Sequence, residues 1–364
     1  MTEQLARPLT AVSAADRPAV GGKAAALGEL TAAGIPVPPG FAVTTGAFAR
    51  VLRAADPDGS LVRRVELLAA DDHDAIAAAT ASLRGRILRA PLPAGVHEAI
   101  AASYRALGGH AETGSAGDAT PVAVRSSATG EDSAAASYAG LQDTYLWVQG
   151  GDEVAAHVRR CWASLYSVES VAYRRHQGLP EEGLAMGVVV QAMVDPRCAG
   201  VMFTRSPVTG DTSVVVLEAS WGLGSALVSG DVTPDSYVVS KVTGEVVRRT
   251  VAAKLRRHQR DAAGPGVRVQ DVPPELQQAP CLRDEEIREL ATLGRQVAEH
   301  YGAAQDIEWA IEDRAGGPAR IHLLQSRPET VWSARGARPA AVPAPRPFDH
   351  VLARLSGQPG GGPR

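Results

Sequence analysis

The chain of 364 residues predicts an α+β fold, and three features of the sequence say so. Residues 60–112 carry apolar side chains at helical spacing, and from Ala185 onward short β-type runs alternate with Gly, Pro and Asp turns. A helical stretch beginning near Asp284 then returns into two more strands, which places helices and strands in separate blocks rather than strict alternation.

Taken in order, GGKAAALGEL reads as a Gly-Lys turn followed by a helix from Ala24 to Ala33. The Pro-rich turn IPVPPG leads into a short strand, FAVTT, and another helix. Leu61, Val65, Leu68, Ile76, Leu83, Ile87, Val96 and Ile100 give residues 60–112 an amphipathic pattern, broken by PLP at 91–93. AETGSAGDAT is small and polar, so a mobile loop is expected before the apolar strand VAVR, with a helix over 154–175 to follow. MGVVVQAMV, AGVMFTRS, SVVVLEAS, DSYVVSK and GEVVRRTV then read as strands. Asp284 can cap a helix carrying Ile287, Leu290, Leu293 and Val297, after which DIEWAIE and ARIHLLQSR return as strands. Residues 333–364 are dominated by Ala, Pro, Gly and Arg, end in GQPGGGPR, and are expected to form a flexible tail.

Composition narrows the function classes. An apolar content of 45% with 21% charged residues is that of a globular chain. A formal net charge of -3 argues against a non-specific grip on nucleic acid, although it leaves room for a local basic cleft. No run approaches the ~20 apolar residues of a membrane helix, and no leader pattern opens the chain, so a cytoplasmic protein without membrane contact is expected. Cys161, Cys198 and Cys281 are too few and too widely spaced for a disulfide framework or a paired metal site, which leaves buried thiols.

Three segments carry chemistry. Lys23 follows two glycines at a helix start, where backbone amides and an ammonium can converge on phosphate; a Gly turn with a surface lysine gives the same string. Arg125 ends the strand VAVR before the small hydroxyl-rich loop SSATGEDSAAASYAG, and its fork can hold phosphate oxygens or form a structural ion pair. In DIEWA and LLQSRPET, alternation puts Asp306 and Glu308 on one face of a strand, and Gln325 and Arg327 on one face of the next. Oxygens of Glu308 and Gln325 suit Mg²⁺, and Arg327 beside them could stabilise a transferring phosphoryl group. The other reading of these strands is an edge with solvated polar residues. If ARIHLLQSR is regular, His322 points to the face opposite Gln325 and Arg327.

Together these segments resemble the nucleotide-binding region of the phosphoenolpyruvate synthase, pyruvate phosphate dikinase and rifampin phosphotransferase family. The resemblance covers residues 21–330 and includes VPPGFAVTT, RRCWASLYS, AGVMFTRSPVTGD and LEASWGLGSALVSGDVTPDSYVVSK. It implies an ATP-grasp fold with two lobes around a nucleotide cleft, an N-terminal lobe with a helical insert at 1–184 and a C-terminal lobe at 185–332, before the tail at 333–364. It also implies ATP and Mg²⁺ as cofactors. Lys23 and Arg125 then correspond to phosphate ligands, the segment Gln191, Met193 and Val194 to the adenine contact, and Glu218 to the ribose end. Asp306, Glu308, Gln325 and Arg327 correspond to the acidic and catalytic set, with Glu308 and Gln325 on the metal and Arg327, Arg125 and Lys23 on the phosphates. Ser225 stands where many relatives have Glu.

Family enzymes phosphorylate a histidine on a swivelling domain. None of the nine histidines lies in a segment like that domain's, so the resemblance implies a split phosphotransferase: an ATP-binding subunit acting on a separate histidine-bearing phosphocarrier, as phenylphosphate synthase is divided. AMP and phosphate are the expected products, and a small hydroxyl compound such as a phenol or pyruvate, or a rifamycin-like antibiotic, is the expected final acceptor. A non-catalytic ATP-binding regulatory subunit and a direct small-molecule kinase are the alternatives; ADP as product would mark the latter.

Overall fold

The computed structural model describes residues 4–109, 120–130, 143–261, 266–314 and 316–333. The loop expected over AETGSAGDAT, most of the hydroxyl-rich loop after Arg125, and the tail beyond Ser333 lie outside those residues.

Two sheets face each other. The first half supplies β1 (Ala6–Pro8), α1 (Arg17–Val20), α2 (Gly22–Ala32), β2 (Gly40–Val43) and the helices α3 (Thr45–Ala55), α4 (Ser60–Glu66), α5 (His73–Arg89) and α6 (Ala94–Gly108). β3 (Val122–Ala128), β4 (Thr144–Val148), α7 (Gly151–Ser164), α8 (Val168–His176) and β5 (Met186–Ala192) complete it. The antiparallel order is β1-β2-β5-β3-β4. β5, which the sequence assigns to the start of the second half, therefore lies in this first sheet, between β2 and β3. Proline at 91 and 93 separates α5 from α6 as the sequence implies, but the helix expected over 154–175 is two: Ser167 caps α8, its Oγ accepting from the Ser170 N–H at 3.1 Å.

The second sheet contains β6 (Cys198–Phe203), β7 (Val214–Trp221), β8 (Asp235–Ser240) and β9 (Val246–Thr250), with the short helix α9 (Ser225–Val228) between β7 and β8. A hairpin of β10 (Arg256–Arg260) and β11 (Val267–Asp271) precedes α10 (Pro274–Gln277) and α11 (Asp284–Tyr301), and β12 (Gln305–Glu312) and β13 (Arg320–Pro328) return to the sheet. Its order is β13-β12-β6-β7-β8-β9. The sequence gives little sign of the hairpin, because RRHQR is polar throughout and the one apolar pair of VRVQD, Val267 and Val269, stays exposed. At α11 the cap differs from expectation: Asp284 sits in the first turn, and Glu286 Oε2 accepts from the Arg283 N–H at 2.8 Å.

Each sheet buries one face against helices. Val122, Val124, Val188 and Val190 pack with Phe48, Leu83, Ile100, Trp162 and other residues of α3 to α8. Leu217, Tyr237, Ile307, Trp309 and Leu323 pack with Ile287, Leu290 and Val297 of α11. All three cysteines are buried thiols. The opposite face of the first sheet carries Ala42 and Val189 against Leu27 of α2, and by alternation Ala123, Arg125, Ser127 and Gln191 share that face.

Helix α2 is seated by Gly21, whose φ of +82° and ψ of 171° lie in a region essentially restricted to glycine. A Cβ here would meet the Ser127 carbonyl oxygen at 1.8 Å, and Ser127 Oγ accepts from the Ala24 N–H at 3.1 Å. The first turn of α2, and with it Lys23, is thereby held against the end of β3. Gly21→Ala should lower folding stability by about 2 kcal/mol or more from backbone strain alone, read as a shifted midpoint in urea unfolding; an unchanged midpoint would remove the close approach from the argument.

Candidate functional site

The uncovered face of the second sheet is ordered in rows, because strands register across it. Gln325 of β13 opposes Glu308 of β12, Glu308 opposes Val201 of β6, and Val201 opposes Glu218 of β7. Two residues toward one end, Arg327 opposes Asp306 and Asp306 opposes Phe203. Two residues toward the other, Ala310 opposes Ala199, and these pack with Val194 and Leu324. The face thus grades from charged, through mixed, to apolar.

Arg125 crosses from the first sheet to this face. Its Nη2 donates to Glu308 Oε2 at 2.9 Å and to Gln325 Oε1 at 2.6 Å, and its Nη1 donates to the Leu324 carbonyl at 2.8 Å. That carbonyl is free to accept because the β12–β13 register slips between Glu308 and Trp309, leaving Leu324 as a bulge residue out of the ladder. The Arg125 Nε is buried without a partner among the described residues. The structural ion pair left open by the sequence is therefore present, and it lies inside the site.

The bulge also corrects the orientation of His322. The strand is not regular, so His322 opposes Ala310 and shares the cleft face rather than the opposite one. Its ring is buried, with Nε2 3.6 Å from Glu312 Oε2, and burial together with Arg320 and Arg314 pushes its pKa down to about 4. It is a neutral ring in the apolar row, beside Ala310.

A cavity of about 230 Å³ lies between the sheets, lined by Arg125, Gln191, Met193, Val194 and Glu308 of the residues singled out in the sequence. It falls below the roughly 300–1,000 Å³ of small-molecule pockets, so a ligand of ordinary size would extend beyond it along the open rows. Gln191 is buried and its Nε2 donates to the Pro38 carbonyl at 3.3 Å. Gln325 joins the cavity through Arg125. Asp306 and Arg327 form the next row, 3.6 Å apart, and Glu218 continues the Glu308 row. Lys23 stands on α2 and does not line the cavity. Ser225 does, and its Oγ lies 3.0 Å from His258 Nδ1 on the hairpin.

Sequence reasoning missed the apolar wall of Ala199, Val201, Ala310 and Leu324. Alternation in AGVMF, read against DIEWA, carried the signal for the first three; the bulge that brings in Leu324 carried none.

For a hard cation such as Mg²⁺ the relevant donors are oxygens. Glu308 Oε2 and Gln325 Oε1 fit, since both converge on one guanidinium nitrogen, a position already suited to positive charge. Among the described residues no three His, Cys, Asp or Glu side chains gather into a metal cluster.

Burial raises Glu218 above the usual carboxylate range. Burial also raises Asp306, to about 6, with Arg327 opposing the shift and Glu329 adding to it. A carboxyl whose folded pKa lies above its unfolded one binds protons more tightly when folded, so its contribution to stability is full below about pH 4 and is lost as pH rises through about 6. Asp306→Asn stays neutral throughout. Its melting temperature should gain on that of the unaltered protein as pH rises from about 4 to 7, and a difference independent of pH would contradict the shift.

Comparison with known proteins gives a consistent picture. Residues 17–346 match the family model described as pyruvate phosphate dikinase, AMP/ATP-binding domain. A rifampicin phosphotransferase from a Streptomyces species is 44% identical over 331 residues, covering 91% of this chain and 36% of the relative. A probable phosphoenolpyruvate synthase of Staphylothermus marinus is 42% identical, covering 87% of this chain and 40% of the relative. The phosphoenolpyruvate synthase of Aeropyrum pernix is 38% identical, covering 90% and 42%. The chain spans about two fifths of the length of these relatives.

Proposed function

The chain belongs to the family of pyruvate phosphate dikinase AMP/ATP-binding domains, and we propose that it is the ATP-using part of a dikinase-type phosphotransferase that phosphorylates a histidine outside residues 1–364. The observation that carries this reading is the Arg125 fork on Glu308 and Gln325, standing where the apolar end of the cleft meets the charged row of Asp306 and Arg327.

In this reading the two sheets are the lobes of an ATP-grasp fold, with β5 in the N-terminal lobe. The adenine lies among Val194, Ala199, Ala310 and Leu324, beside Gln191 and Met193, and the ribose faces Glu218. The phosphates run along the Glu308 row toward Arg327, with Arg125 and Lys23 supplying positive charge from the first sheet and α2. Mg²⁺, held by Glu308 and Gln325, would supply charge neutralisation on the phosphate oxygens. Arg327, half exposed at the charged end and only loosely paired with Asp306, is free to meet charge that develops on the transferring phosphoryl group. Positioning and fixed charge do most of the work, as phosphoryl transfer asks for little covalent chemistry from the protein.

The histidine, ATP and water become phosphohistidine, AMP and phosphate. A partner phosphocarrier subunit bearing that histidine, and a small-molecule final acceptor such as a phenol or pyruvate, complete the proposal.

Incubation with Mg-ATP, alone and with a candidate histidine carrier, followed by chromatography of AMP, ADP and phosphate, tests the reading. AMP should form only with the carrier. Tight ATP binding without turnover would favour a regulatory subunit, and ADP a direct kinase. Arg327→Ala should reduce AMP formation by about 10²–10³-fold while the protein stays folded and still binds ATP; unchanged turnover would remove Arg327 from the chemistry.

A further inference from the structure

The charge of the chain is slightly negative, yet the structure gathers Arg197, Arg257, Arg260, Arg268 and Arg283 around one open groove of about 850 Å³, whose single acidic lining residue is Asp195. The groove runs between the β10–β11 hairpin and the segment carrying Trp221 and α10, on the far side of Pro196 from the nucleotide cavity.

The five arginines are not equivalent. Arg197 is already neutralised, donating to Glu286 Oε1 at 2.5 Å, to Asp313 Oδ1 at 3.0 Å and to the Cys281 carbonyl at 2.7 Å. Arg260 stacks over the Trp147 ring at 5.1 Å, and Arg283 is largely exposed, with Nη1 3.5 Å from Glu286 Oε1. Arg257 and Arg268 have no ion pair or hydrogen bond among the described residues, and the Arg257 Nε is buried without a partner.

Hairpin register puts these two on one face. Arg257 opposes Gln270 and Gln259 opposes Arg268, so the arginines are diagonal neighbours with two glutamine amides between them. Such neighbours stand roughly 7–8 Å apart. Two guanidinium forks rooted at that spacing, and unpaired among the described residues, can each take two oxygens, which suits linked phosphates better than one carboxylate.

We propose that this groove binds a small phosphate-dense anion of the di- or triphosphate class, at a site separate from the nucleotide cleft. The opposite face of the hairpin carries His258, which contacts Ser225 at the cleft wall. An anion holding the hairpin therefore also steadies that wall, and occupancy of the groove is linked to nucleotide affinity.

The test is calorimetric titration with inorganic tripolyphosphate at constant ionic strength, on the unaltered protein, on Arg257→Gln/Arg268→Gln, and on Arg125→Ala. Near-ultraviolet circular dichroism serves as the control for folding. The groove component of tripolyphosphate binding should persist in Arg125→Ala, where any cleft component weakens, and should weaken at least about tenfold in the double variant. ATP should still reach the groove of Arg125→Ala through its triphosphate, and should lose that residual binding when the hairpin arginines are also replaced. Three results would overturn the proposal: tripolyphosphate binding abolished by Arg125→Ala but untouched in the double variant, no binding beyond that of matched chloride, or retention of an oligonucleotide with indifference to tripolyphosphate.

Discussion

The site depends on one side chain that joins two sheets. Arg125 leaves the first sheet and ends on three acceptors of the second: a carboxylate, an amide and a bulged carbonyl. Its side chain is mostly buried while Glu308 keeps about a third of its exposure, at 12% and 35%, so the pair is neither a solvated surface bridge nor a fully dry one. A guanidinium needs its acceptors in its own plane, and the bulge at Leu324 supplies the third by turning one carbonyl out of the ladder. The same bulge re-aims every residue of β13 before it, including His322. A single irregularity therefore determines both what Arg125 can reach and which histidine faces the cleft.

The contact also says how the cleft accommodates charge. Glu308 and Gln325 point into a partly closed space where a lone carboxylate would be costly, and the guanidinium offsets that cost. In the proposed reading, phosphates entering the cleft offer Arg125 stronger acceptors, and Glu308 and Gln325 then need another cation. The arrangement favours phosphate and cation together over either one alone, a coupling that follows from shared partners and requires no large movement of the chain.

Most elements were legible because burial imposes a period. Val122 and Val124 against Trp162, or Ile287, Leu290 and Val297 against the second sheet, alternate or repeat as a half-buried strand or helix must. The shared faces of Asp306 with Glu308, and of Gln325 with Arg327, followed from alternation alone. What could not be read depends on contacts distant in sequence. Nothing in ARIHLLQSR announces a bulge, and the side chain that uses the carbonyl it frees, Arg125, stands about 200 residues earlier. The break between α7 and α8 rests on a serine cap that competes with an otherwise continuous helical pattern. The β5 strand was placed with the wrong neighbours because a strand apolar but for Gln191 is silent about which sheet it enters. The hairpin was hard to see for the opposite reason, its strands being polar apart from Val267 and Val269, which stay exposed.

That hairpin stays in position without a core of its own because its base is tied down by a buried charge. Asp235 accepts from Lys254 Nζ at 2.5 Å and from the Ala252 N–H at 2.9 Å through one oxygen, and from the Cys281 N–H at 2.8 Å through the other. Both side chains of the ion pair are fully buried. Such a pair adds little net stability over an apolar equivalent, but an unpaired partner would be strongly unfavourable, so the strand start, the approach to the hairpin and the approach to α11 are held in one arrangement. A chain that is slightly acidic as a whole can in this way keep arginines close together on a two-stranded projection. The repulsion between them is opposed at the anchored base rather than within the projection, where Arg257 and Arg268, unpaired among the described residues, line the groove.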